Sequence, residues 1–101
     1  MKKFGLSEDQ LFKIREVIQS VPVVEEAFLY GSRALGNYRE GFDIDISLVG
    51  EKLSLKELTK IINDLDELLL PYEFDISLFH QISNQDLIEH IKRVGISLYK
   101  K

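Results

Sequence analysis

Two aspartates one residue apart, Asp43 and Asp45, stand inside an otherwise apolar run that reads FDIDISLV over residues 42–49. This alternation predicts a β-strand, because successive side chains of a strand point to opposite faces. Both carboxylates then leave one face, about 6.5–7 Å apart along the strand. Ile44 and Ile46 leave the other face, toward a core. The run therefore favours a sheet that has one apolar face and one acidic face.

The two carboxylates of this strand repel each other. At about 7 Å and an effective dielectric constant of about 20, two unit charges repel by about 2–2.5 kcal/mol. Solvent around an exposed turn would relieve that repulsion, and so would a divalent cation, which prefers carboxylate oxygens. From this pair alone, a solvated turn and a metal site are both open interpretations.

Composition bounds the class of protein. The 101 residues include 13 lysines and arginines and 17 aspartates and glutamates, which gives a formal net charge of −4. An acidic balance argues against direct nucleic-acid binding, because nucleic-acid-binding modules usually carry a basic face. The chain has no cysteine, which excludes a thiolate metal site. Since we find no membrane span and no signal peptide, we predict a cytoplasmic protein with one domain over residues 1–101.

The remainder of the chain alternates helices and strands. Apolar residues at three- and four-residue spacing predict helices that begin after Ser7, after Ser54 and near Asn84. A further short helix could begin at Ser32. Apolar or alternating runs predict strands over residues 24–30, 43–49, 72–79 and 96–99. We therefore predict an α+β fold in the order α-β-α-β-α-β-α-β, with a small mixed sheet of about four strands and the helices packed on one face.

The third predicted strand carries another acidic position. Glu73, Asp75 and Ser77 share one face there. The tetrapeptide DISL occurs twice, beginning at Asp45 and at Asp75. A strand–helix–strand connection of this length normally makes a right-handed crossover between parallel strands. If the two strands are neighbours at about 4.8 Å, the third aspartate joins the first two in one acidic cluster.

A glycine–serine turn follows the first predicted strand. Gly31 permits a left-handed turn or the close approach of a ligand. If a helix begins at Ser32, its free N–H groups form a cradle for a phosphate. The same dipeptide also fits an ordinary strand-to-helix turn with a serine cap. The loop from Gly36 to Phe42 is either a flap over a substrate or a polar connection.

Histidine and serine side chains give no second site in the sequence. His80 and His90 lack metal-ligand spacing, and we interpret them as surface or helix-face residues. Ser47 and Ser77 lie beside the acidic face without the base and orienting group that a nucleophilic serine needs. We interpret both serines as hydrogen-bonding positions within the strands.

The combination of these features is more specific than its parts. Gly31 and Ser32 follow a strand, ten residues intervene, Asp43 and Asp45 lie on the next strand, and Asp75 lies on the strand after that. This order resembles the DNA polymerase β-like nucleotidyltransferase superfamily, whose signature is Gly-Ser, a spacer, Asp-x-Asp and a distal carboxylate. Within it, the segments GSRALG and FDIDISLV are similar to the minimal nucleotidyltransferases, the antitoxin halves of HEPN/MNT toxin–antitoxin pairs.

The resemblance implies how the nucleotide is held. Gly31 and Ser32 would bind the triphosphate of ATP, and Arg33 would either contact a phosphate or form a surface ion pair. Two positions depart from the family pattern, which often has Ser or Thr where Phe42 stands and a basic residue where Leu35 stands. These departures concern the finer phosphate contacts and the rate, because neither of them replaces a metal ligand.

The resemblance also implies how the chemistry is done. Asp43 and Asp45 would bind two Mg²⁺ ions, and Asp75 would bind one of these ions and help to deprotonate the acceptor hydroxyl. Two ions about 3.5–4 Å apart clamp the attacking and leaving oxygens of a phosphoryl transfer. The remainder of catalysis is then mainly positioning and charge neutralisation.

The acceptor is the part of the reaction that the motif does not supply. Larger relatives carry a second, usually helical, domain that grips the acceptor, and we expect none within these 101 residues. The resemblance implies that a HEPN-domain ribonuclease toxin presents a tyrosine hydroxyl, which receives AMP from ATP. Two alternatives stay open: a subunit that neutralises the toxin by binding alone, and a nucleotidyltransferase that acts on a small molecule. Assembly as a homodimer or as a hetero-oligomer with the toxin is also open.

Overall fold

The computed structural model describes residues 5–31 and 43–101. Within these ranges the helices are α1 Glu8–Gln19, α2 Leu55–Asp66 and α3 Gln85–Val94, and the strands are β1 Glu26–Tyr30, β2 Asp43–Val49, β3 Glu73–Leu78 and β4 Ile96–Lys100. A 3-10 helix, Phe79–Gln81, follows β3. The helix predicted to begin at Ser32 lies outside the described residues. Of the helices in residues 5–31 and 43–101, none is long and apolar enough to cross a membrane.

The strands form one mixed sheet in the order β3-β2-β1-β4. β1 pairs antiparallel with both β2 and β4. β2 and β3 are parallel, as a crossover through α2 predicts. The α+β class and the mixed four-stranded sheet are therefore confirmed. Among the described strands, β4 and β3 lie at the two edges of the sheet.

One face of the sheet forms the core under α1 and α2. The strand residues Leu29, Ile44 and Ile46 are fully buried there together with Ile14 of α1 and Ile61 of α2. Burying each side chain of this size contributes about 1.5–3 kcal/mol. The strict alternation along β2 thus directs its isoleucines into the core and its aspartates to the other face.

The helix α3 departs from the prediction that the helices lie on one face. Its Ile91 is buried but lies outside the main core cluster. Its His90 packs edge-on against the ring of Tyr30, with the ring centroids 6.2 Å apart. Tyr30 pairs with Asp45 across antiparallel strands and therefore shares its face. Burial of the Tyr30 ring on this polar face requires a neighbouring element that packs against it, and α3 packs there at the end of β1.

Local sequence signals fix where the helices begin. The Ser7 hydroxyl accepts the N–H of Gln10 at 3.1 Å, and the Gln10 side chain accepts the N–H of Ser7 at 3.0 Å. These two bonds form a capping box at the predicted start of α1. At α2, the N–H of Ser54 donates to the Glu57 carboxylate at 2.8 Å. Hydrogen bonds from the Ser54 side chain and backbone hold the pKa of Glu57 below its usual value. The Asn84 side chain caps α3.

Gly95 ends α3 for a steric reason rather than a conformational one. Its φ of −61° is not left-handed. Its N–H donates to the carbonyl oxygen of Ile91 at 2.7 Å, and a Cβ at this position would collide with that same oxygen. The glycine therefore provides space, which lets the chain turn directly from α3 into β4.

Candidate active site

The polar face of β2 and β3 forms an open depression of about 280 Å³. Asp43, Asp45, Glu73 and Asp75 line it, with Phe74 beside them. The parallel register pairs Asp43 with Glu73 and Asp45 with Asp75. Paired residues of neighbouring strands point to the same face, about 4.8 Å apart. The structure thus brings the three predicted aspartates together at one part of the sheet.

This arrangement concentrates negative charge. Two carboxylates about 5 Å apart repel by about 3 kcal/mol at an effective dielectric constant of about 20. Asp43 and Asp75 are exposed and Asp45 is half-buried, so solvent screens part of this repulsion. Carboxylate oxygens are the donors that hard divalent cations prefer, and the donor set therefore fits Mg²⁺. Among the residues that the structure describes, no three acidic or histidine side chains are already arranged as a metal site.

Gly31 ends β1 directly beside Asp45. Its φ of +78° lies in the left-handed region, which glycine adopts without strain. A Cβ built at Gly31 would lie 2.5 Å from Oδ2 of Asp45. The predicted glycine turn and the predicted acidic pair are therefore adjacent. Four further positions of the prediction lie outside the described residues: Ser32, Arg33, Leu35 and Phe42.

The backbone N–H of Gly31 already has a hydrogen-bond partner. It donates to Nε2 of His90 at 3.2 Å, across 59 residues of sequence. In this structure, Gly31 contributes the absence of a side chain beside Asp45 rather than a free donor for a phosphate. His90 is partly buried on the inner side of α3, whereas His80 is exposed, as predicted. Nothing in the sequence around His90 signals its contact with the turn, because the two segments meet only in the folded chain.

Tyr30 lies at the base of the acidic face. Burial raises the pKa of Tyr30 above its ordinary value; a hydrogen bond with Ser77 lowers it, and the charges of Asp75 and Asp45 raise it further. The Ser77 hydroxyl also donates to the hydroxyl of Ser47 at 3.2 Å, and Ser47 is fully buried. These contacts confirm the two serines as hydrogen-bonding positions in the strands. The pairing of Tyr30 with Asp45 places the phenol on the face of the site carboxylates, which no pattern in the sequence predicts.

The raised pKa of Tyr30 predicts a loss of stability at high pH. The folded chain holds the phenol proton more tightly than the unfolded chain does. This contribution to stability is complete below the unfolded pKa of about 10 and is lost as the pH rises through the folded pKa. We expect the Tm of the wild-type protein to fall more steeply above about pH 10 than that of Tyr30→Phe. Thermal unfolding followed by circular dichroism across this range measures both slopes, and parallel slopes would contradict the prediction.

A second depression, of about 450 Å³, lies between α1 and α2. Its lining includes Lys13, Glu16, Lys60 and Asp64, so it carries charges of both signs. Lys60 and Asp64 pair with each other at 2.6 Å, one helical turn apart. This groove consists largely of the solvent-facing side chains of two helices. The smaller acidic depression is therefore the better candidate for chemistry.

Comparison with known proteins identifies the class of this fold. The mixed sheet is that of a polymerase β-like nucleotidyltransferase. A family model described as "Polymerase beta, Nucleotidyltransferase" matches residues 12–101, and the chain therefore belongs to the polymerase beta nucleotidyltransferase family. A search of curated proteins found no match.

Several solved structures with a similar fold come from toxin–antitoxin complexes. A chain of a toxin–antitoxin crystal structure with AMP-PNP matches with a TM-score of 0.71 and 20% identity, covering 95% of this chain and 75% of that one. A chain from the complex of tri-AMPylated Shewanella oneidensis HEPN toxin with MNT antitoxin gives a TM-score of 0.70 and 18% identity, covering 93% and 72%. A chain of the MntA–HepT toxin–antitoxin gives 0.69 and 16%, covering 94% and 74%. At these identities the likeness is one of fold.

Proposed function

We propose that this protein is an antitoxin-type minimal nucleotidyltransferase that transfers AMP from ATP to a tyrosine hydroxyl of a HEPN-domain ribonuclease toxin, with two Mg²⁺ ions. The observation that carries the proposal is the pairing of Asp45 with Asp75 on parallel strands, next to Asp43 and Gly31. Membership of the family supports nucleotidyl transfer. The complexes with AMP-PNP and with a tri-AMPylated HEPN toxin support the nucleotide and the partner.

The carboxylates divide the chemical work. Asp43 and Asp45 would hold Mg²⁺, and Asp75, which the register sets opposite Asp45, would be a further ligand for one of the ions. Bound Mg²⁺ would neutralise the triphosphate and the leaving pyrophosphate. Asp75 would accept the proton of the acceptor hydroxyl. The tyrosine oxygen then bonds to the α-phosphorus of ATP, the bond from that phosphorus to the bridging oxygen breaks, and pyrophosphate leaves.

The shape of the depression favours a protein as the acceptor. Its volume of about 280 Å³ is below the roughly 300–1,000 Å³ usual for pockets that enclose a small molecule. Asp43 and Asp75 are exposed, so a side chain delivered by a partner protein can reach them from solvent. A small-molecule acceptor would need enclosing walls, and residues 5–31 and 43–101, which the structure describes, leave this edge open. A cytoplasmic location, predicted from the sequence, is part of the same proposal.

The proposal is tested by labelling the toxin. The protein is incubated with Mg²⁺ and a purified HEPN-domain toxin, using ATP that is radioactively labelled at either the α- or the γ-phosphate. We expect the toxin to retain label only from the α-phosphate, because adenylyl transfer releases the other two phosphates as pyrophosphate. Removal of Mg²⁺ with EDTA should abolish labelling, and replacement of the acceptor tyrosine by phenylalanine should abolish it at that site.

Other outcomes separate the alternatives. Label retained from the γ-phosphate would show phosphorylation and overturn the proposal. A toxin that is inhibited in the complex but carries neither label would establish neutralisation by binding alone. Label found only on an added small-molecule acceptor would establish that the protein is a nucleotidyltransferase that acts on a small molecule.

A further inference from the structure

His90 contacts two consecutive residues at the end of β1. Its Nε2 accepts the N–H of Gly31 at 3.2 Å. Its ring packs edge-on against Tyr30, with the ring planes at 79°. The contacts join α3 to the point where the chain leaves the sheet beside the acidic site. His90 itself does not line the acidic depression, so its effect on chemistry must act through the turn.

The hydrogen bond from Gly31 fixes the direction of the turn. A peptide unit is planar, so holding the N–H of Gly31 also orients the whole plane between Tyr30 and Gly31. With φ at +78°, that plane determines how the chain leaves β1. Gly31 also lies so close to Asp45 that a Cβ would meet the carboxylate. Gly31 is thus next to both an imidazole acceptor and a site carboxylate.

The chemistry of this contact requires a particular form of the imidazole. Nε2 accepts a hydrogen bond only when the ring is neutral and its proton is on Nδ1. Glutamine at the same position can offer an amide oxygen as acceptor, whereas leucine fills a similar volume without one. This pair of substitutions separates the hydrogen bond from the packing against Tyr30.

We propose that His90 is a positioning residue of the site, which holds Gly31 against Asp45 through a neutral imidazole acceptor. The catalytic consequence rests on the proposed function, whereas the structural consequence does not. His90 fixes the geometry of the turn before nucleotide binds, so its loss lowers the rate of transfer rather than the affinity for the protein partner.

The structural consequence is tested by proton–nitrogen NMR of the isolated protein. We expect the wild-type His90 ring to be the Nδ1–H tautomer. The Gly31 amide should exchange with solvent about tenfold faster in His90→Leu, because its hydrogen bond is gone. His90→Gln should restore most of the protection. His80→Leu, at an exposed position, is the matched control and should leave Gly31 unchanged. Unchanged exchange at Gly31 in a folded His90→Leu protein overturns the proposal.

The catalytic consequence is tested with the labelled toxin. We expect kcat to fall about tenfold in His90→Leu, with KM for the toxin unchanged and most of the rate recovered in His90→Gln. A rise in KM at constant kcat would show that His90 serves partner binding and would overturn the positioning role. If the wild-type protein transfers no AMP, the proposed function fails, and the Gly31 exchange result still decides the structural role of His90.

Discussion

Asp45→Asn is expected to abolish AMP transfer, with kcat lower by at least about 10³-fold, which corresponds to about 4 kcal/mol of transition-state stabilisation. Asparagine has nearly the same shape, so it preserves the packing against Gly31. It removes the negative charge that pairs in register with Asp75 and that would hold a cation. The fold should persist, because relief of the repulsion between the paired carboxylates offsets any lost contact.

This prediction is measured as the initial rate of toxin labelling from α-labelled ATP, together with Tm and toxin affinity. Asp64→Asn is the matched control, because Asp64 lies on α2 and pairs with Lys60 away from the acidic depression. It should transfer AMP at the wild-type rate. A fully active Asp45→Asn protein would remove the acidic depression as the active site. An inactive Asp45→Asn protein that still protects cells from the toxin would show that binding alone is sufficient for neutralisation.

Gly31→Ala is expected to lower transfer by about 10²-fold, which is the effect of moving a reacting group by about 1 Å. Alanine at a φ of +78° is strained by about 1–2 kcal/mol. Its Cβ would also lie 2.5 Å from Oδ2 of Asp45, so the carboxylate must rotate away. The first effect lowers the free energy of unfolding, and the second displaces a proposed metal ligand. The steric effect on Asp45 is the one that should dominate activity.

Gly5→Ala separates these two effects. Gly5 precedes α1 and has a φ of +77°, so the same substitution introduces the same backbone strain. We expect both variants to lose a similar amount of Tm, while only Gly31→Ala loses transfer. Labelling rates and thermal unfolding of the two proteins provide the comparison. Equal activity of the two variants would show that the contact between Gly31 and Asp45 does not matter for chemistry.

Much of the fold follows from short-range patterns in the sequence. The alternation around Asp43 and Asp45 predicts a strand with one acidic face, and β2 has that form. The crossover rule predicts that the strand of Asp75 is parallel to the strand of Asp45, and β3 is parallel to β2. That the two strands are also neighbours is shown by the structure. The capping box at Ser7 predicts where α1 begins, because it depends only on residues three positions apart.

The features that the sequence did not reveal depend on long-range geometry. The alternation places Glu73 on the face of Asp75, but only the register shows that it lies opposite Asp43. The contact of His90 with Gly31 requires α3 to cross the end of β1, which no local pattern encodes. Tyr30 is part of a continuous apolar run, and only the paired strands show that its phenol shares a face with the acidic residues.

Asp75 lies on β3, which is an edge strand of the sheet. Among the described strands, β3 pairs only with β2. The repulsion between Asp45 and Asp75 opposes the backbone hydrogen bonds that join β3 to β2. A cation bound by carboxylates of both strands would neutralise this repulsion and hold β3 to β2. Binding of metal and nucleotide would then stabilise the pairing of β3 with β2, and the edge of the sheet would be most rigid in the substrate-bound protein.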